Sequence, residues 1–85
     1  MLKINEHIIG IYVEDRYDEA QQLQETLTRY GCCIKTRLGL HSTDGNYCAQ
    51  GGIIILQLLP DKEESGLLIN AMNKLEGVQV KEMVF

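Results

Sequence analysis

The stretch HIIGIYVED is apolar at almost every position and closes on charge, the pattern of a strand covered on both faces. DRYDEAQQLQETLTRYG follows with a different rhythm. Ala20, Leu23, Leu27 and Tyr30 recur at spacings of three and four, which places them on one helical face. Asp15 stands where an N-cap is needed, Asp18 lies three positions on, and Gly31 follows as a left-handed stop. CCIKTRLGL predicts a second strand, with Ile34, Thr36, Leu38 and Leu40 on one side and Lys35 and Arg37 on the other. Ile53 to Leu59 form a third. Pro60 and Asp61 end it, and Asp61 with Glu64 opens a second helix through Leu68, Ala71, Met72 and Leu75. Gly77 closes that helix. The last strand, VQVKEMVF, loses its alternation after Val80, which predicts a bulge or a fraying end.

The order β-α-β-β-α-β has a preferred solution. Right-handed crossovers let its two halves intercalate as a four-stranded antiparallel sheet with both helices on one face, the ferredoxin-like α+β arrangement. Its central strands are the first and third, here the two most apolar. Ile9, Ile11 and Val13 then face the helices while Ile8, Gly10 and Tyr12 face away. Ile54, Leu56 and Leu58 alternate in the same way with Ile53, Ile55 and Gln57. Helices on one face leave the second apolar set uncovered, and a patch of several large side chains marks an interface. Self-association is expected there, centred on Ile8, Tyr12, Ile53 and Ile55.

At 85 residues the chain is expected to be one domain, 1–85, with a small core. A net charge of −4, with scattered basic residues, argues against direct nucleic-acid binding. MLKINEH lacks a signal peptide's apolar core and no run reaches membrane-spanning length, so a cytoplasmic protein is expected. In a reducing compartment the neighbouring Cys32 and Cys33 read as thiols that point to opposite faces, not as a disulfide.

Several segments together resemble the family of iron-only hydrogenase system regulators, small stand-alone proteins of the ACT-like class. They are IYVEDRYDEAQQLQETLTRYG, IKTRLGLH, GIIILQL and LEGVQVKEMVF, and VEDR and RLGLH are the most specific pieces. That class is similar in fold to the C-terminal regulatory domain of nickel-responsive repressors. The resemblance implies the same β-α-β-β-α-β fold, a ligand-sensing or assembly role, and a dimer or tetramer. It departs from relatives in two places. The repressors carry a DNA-binding segment ahead of this domain, whereas here only a few residues precede the first strand, so any effect on transcription needs a partner protein. Amino-acid-binding ACT domains commonly place a glycine at the first strand-to-helix junction, where this chain has Glu14-Asp15-Arg16.

Between the second and third strands lies HSTDGNYCAQGG, long for a connection in so small a domain. His41 and Cys48 in it are the candidate metal ligands, since an imidazole and a thiolate suit nickel, zinc or copper. The resemblance points the same way, because the repressors use His and Cys ligands in the comparable region. Two ligands are too few for a closed site, so a second subunit or Asp44 would complete it. Otherwise the segment is a polar loop, with Asp44-Gly45-Asn46 as a turn. Lys35 and Arg37 could hold an anion at the sheet surface, and His7 reads as a strand-end residue. Ser42 beside His41 does not make a nucleophile–base pair, because sequence neighbours point apart, and no catalytic constellation emerges. A non-enzymatic regulator is expected, with a nickel- or zinc-sensing module as the alternative.

Two measurements check these expectations. The purified chain alone should not shift duplex DNA at physiological salt, and sequence-specific binding would contradict the charge argument. Replacing His41 and Cys48 together by alanine should abolish nickel or zinc retained through dialysis. Equal metal content in wild type and variant would remove both residues as ligands.

Overall fold

The computed structural model describes residues 6–14, 17–40, 52–60 and 62–85, with backbone only at 17–20 and 62. The element order is β1 (His7–Val13), α1 (Tyr17–Arg29), a 3₁₀ turn (Gly31–Cys33), β2 (Ile34–Leu40), β3 (Gly52–Leu58), α2 (Lys62–Asn73) and β4 (Val78–Val84). The four strands line up as β2-β3-β1-β4, and every neighbouring pair is antiparallel. This is the ferredoxin-like fold, with the two most apolar strands in the middle.

Register explains the core. Ile9 lies opposite Leu56, and Ile11 opposite Ile54, so the inward sets of β1 and β3 coincide. Leu23 and Leu27 of α1 and Leu68 and Met72 of α2 pack on Ile9, Ile11, Val13, Leu56 and Leu58, which puts both helices on the same sheet face. Tyr30 and Leu75 pack partly buried at the margin of this cluster. Burying each of these large aliphatic side chains is worth ~1.5–3 kcal/mol, which makes this single layer the main source of stability.

Three local expectations need correcting. Gly31 does not take the left-handed conformation, which among the described residues belongs to Gly77 at φ 75°. The end of α1 instead tightens into the 3₁₀ turn, with the Cys33 amide donating to the Tyr30 carbonyl at 3.3 Å. β2 therefore begins at Ile34, and it does not keep one alternation. A register shift between Ile34 and Thr36 places Ile34 opposite Leu58 against the core, while Thr36, opposite Gln57, starts the outward set. The extra residue of a bulge reverses facing, so Ile34 does not share a side with Leu38 and Leu40.

β4 is the third case. It neither bulges nor frays but pairs with β1 in unbroken register from Val78 to Val84, and the ladder continues through the Phe85 amide to the Glu6 carbonyl at 2.9 Å. The strand keeps strict alternation, and the apolar pattern slips because the charged Glu82 takes a helix-side position and the apolar Met83 an open-face one. Val78 and Val80 pack on the core, whereas Met83 lies on the opposite side and is 56% exposed. The proposed caps at Asp15 and Asp61 and the whole connection 41–51 lie outside the described residues, as does the side chain of Asp18.

The facing assignment predicts a contrast within α2. Leu68→Ala removes a fully buried side chain and should lower the unfolding free energy by ~2–5 kcal/mol in urea titration. Leu67→Ala, at a position 48% exposed, should change it by less than ~0.5 kcal/mol. Equal losses would mean that the helix is rotated from the orientation described.

Candidate functional site: the open face of the sheet

Opposite the helices, the sheet presents a second surface whose composition follows from the same register. Across the middle run Leu38, Ile55, Gly10 and Lys81, and beside them Leu40, Ile53, Tyr12 and Gln79. On the other side lie Thr36, Gln57, Ile8 and Met83. The sequence-predicted residues Ile8, Tyr12, Ile53 and Ile55 all fall on this surface. Tyr12 and Ile53 are exposed, and Ile8 and Ile55 are half-buried against their neighbours.

Leu38, Leu40 and Met83 extend the surface beyond the four residues expected. The two leucines follow the alternation of β2, which the register shift separates from Ile34. Met83 carried no signal that could be separated from a frayed end. Gly10 sits near the centre, and a β-carbon built there would meet nothing within 4 Å. The backbone is thus bare between Ile55 and Lys81.

The polar residues on this face are organised. Thr36 Oγ1 donates to Gln57 Oε1 at 3.1 Å, and Gln57 Nε2 donates to Glu6 Oε1 at 2.8 Å. This chain ties β2 to β3 and to the start of β1, and it fixes the facing of Gln57, the one polar residue in the outward set of β3. The other face carries its own ties. His7 Nε2 lies 2.8 Å from Glu82 Oε1, so His7 is a cross-strand partner as well as a strand-end residue. Arg37 Nη2 donates to Gln24 Oε1 of α1 at 2.6 Å. Its guanidinium is therefore turned toward the helices, and Lys35 lies at the register shift.

Cys33 is buried and Cys32 exposed, but they separate within the 3₁₀ turn and not on the strand that the pattern suggested. His41 and Cys48 lie outside the described residues, together with Ser42, Asp44 and Gly51. Among the described residues no group of three or more histidine, cysteine or acidic side chains is placed to hold a metal ion. Nor is any described helix long and apolar enough to cross a membrane.

Comparison with known proteins gives the fold a context. No protein-family model matches the chain, and neither does any curated protein. Among solved structures, the uncharacterized protein TM1266 from Thermotoga maritima is 30% identical, with a TM-score of 0.79 over 94% of this chain and 95% of that one. The ACT domain of GTP pyrophosphokinase from Chlorobium tepidum superposes at a TM-score of 0.68 with 17% identity, over 94% of this chain and 100% of that domain. CPII, a nitrogen regulatory PII-like protein from Thiomonas intermedia K12, does so at 0.57 with 18% identity, over 96% and 91%. The latter two share the fold, which is ACT-like.

Proposed function

This chain belongs to the same family as the uncharacterized Thermotoga maritima protein, and from that premise we propose that it is a small, non-enzymatic ACT-like regulatory domain of an iron-only hydrogenase system. It acts in the cytoplasm as one domain over 1–85, through association of its own copies and through binding of a ligand or partner protein. The ACT-like neighbours support a regulatory role, and VEDR and RLGLH support the hydrogenase assignment. The acidic balance, −4 overall, supports control through a protein partner and not through direct contact with nucleic acid.

The observation that carries this reading is the open face. Tyr12 is 47% exposed and Leu38 53%, and Leu40 and Ile53 stand beside them on one flat surface. Each of these half-exposed isoleucines and leucines forgoes roughly half of the ~1.5–3 kcal/mol that full burial is worth, and together they outweigh an exposed ion pair. A chain with a core this small gains a large fraction of its stability by covering that face, which links folding to the assembled state.

The test uses Ile55, which lies opposite Leu38 and Gly10 in the middle of the surface. The wild type should sediment as a dimer or larger at tens of micromolar. Ile55→Lys should give a soluble monomer with unchanged helix content. A wild type that remains a well-folded monomer under those conditions would contradict the reading.

A further inference from the structure

The open face divides into four corners of alternating character. Leu38, Leu40, Ile53, Ile55 and Tyr12 fill the corner nearest the β2–β3 connection. Diagonally across, on β1 and β4, lie Ile8 and Met83, with Phe85 beyond them. The other diagonal is polar and oppositely charged. Thr36 and Gln57 form one end, joined by the carboxylate of Glu6, which pairs with Phe85 at the start of β1 and reaches across to Gln57 Nε2, and Gln79 and Lys81 form the other. Lys81 makes no ion pair with a described residue of its own chain.

Resting on the reading that copies of the chain associate through this face, we propose that two copies meet about a two-fold axis lying in the contact plane along the apolar diagonal. Such an axis keeps each apolar corner against its counterpart and exchanges the other two, so Glu6 of each copy faces Lys81 of the other. The remaining simple axes do worse. An axis parallel to the strands lays the leucine–isoleucine corner on Lys81, and an axis across them lays it on Glu6. An axis along the polar diagonal sets Glu6 against Glu6 and Lys81 against Lys81, where like charges repel. Of these axes, only the apolar diagonal sets Glu6 and Lys81 against each other and not against hydrocarbon or like charge. It passes close to Gly10, where the lack of a side chain lets the facing surface approach the backbone.

A symmetric contact of this kind is isologous, so it can be tested by mixing. Glu6→Lys alone and Lys81→Glu alone each place like charges across the contact twice, and each should weaken self-association by about 10-fold in sedimentation equilibrium at low salt. Mixed in equal amounts, the two variants restore both opposite-charge pairs in the heterodimer, which should form within about threefold of the wild-type constant. That recovery cannot arise from a defect within one chain. Lys81→Gln, which removes a charge without adding one, should weaken association less than Lys81→Glu. If the single variants associate like wild type, or the mixture stays weak, while Ile55→Lys still gives a monomer, this axis is wrong and association through the face stands. If the wild type is itself monomeric, both fall.

Discussion

A strand has two faces, and here the chain supplies helices for only one. Everything distinctive about the molecule follows from that mismatch. β1 buries Ile9, Ile11 and Val13 under α1 and α2, and the same seven residues must then turn Ile8, Gly10 and Tyr12 the other way. β3 does likewise with Ile53 and Ile55. A one-residue slip would exchange the two sets, which is why the register needs independent fixing. The core pairs Ile9–Leu56 and Ile11–Ile54 fix it from inside, and the Thr36–Gln57–Glu6 hydrogen bonds fix it from outside.

The geometry of the covering layer also explains where the chain's patterning changes. A helix of 12 residues such as α2 spans ~18 Å, whereas a strand of seven spans ~24 Å, so the helices do not reach every strand end. Toward the far end of β4 the helix-side positions are Glu82, which meets His7, and Val84, which is left 67% exposed, while Met83 lies on the open face. A small domain thus shifts apolar surface from its own core to a surface that another molecule can cover.

The element order, the central strands and their parity were legible from periodicity alone, because long amphipathic segments leave few alternatives for packing. The ACT-like fold was also legible from segments such as VEDR and RLGLH. What escaped was local. The bulge at the start of β2 needed only one extra residue, which leaves no trace in composition, and it moved Ile34 to the core side. A glycine after a helix suggests a left-handed stop, but at Gly31 a 3₁₀ turn carries the chain into Ile34 without a positive φ. The face was found through its four large residues, but its division into corners needed the lateral order of the strands. Spacing along the chain does not contain that order. The metal candidates His41 and Cys48 fall outside the described residues, and the chemistry read from them rests on residue type and on the family resemblance.

Contact between methyl groups of two copies tests the central claim most directly. In a sample mixing isotopically labelled and unlabelled chains, isotope-filtered NMR reports only proximity across the contact. The account predicts cross-copy contacts among the methyls of Leu38, Ile53 and Ile55 and the ring of Tyr12, all on the open face. Absence of any cross-copy contact, or contacts that involve Leu67 on the helix layer and leave Ile55 untouched, would contradict it.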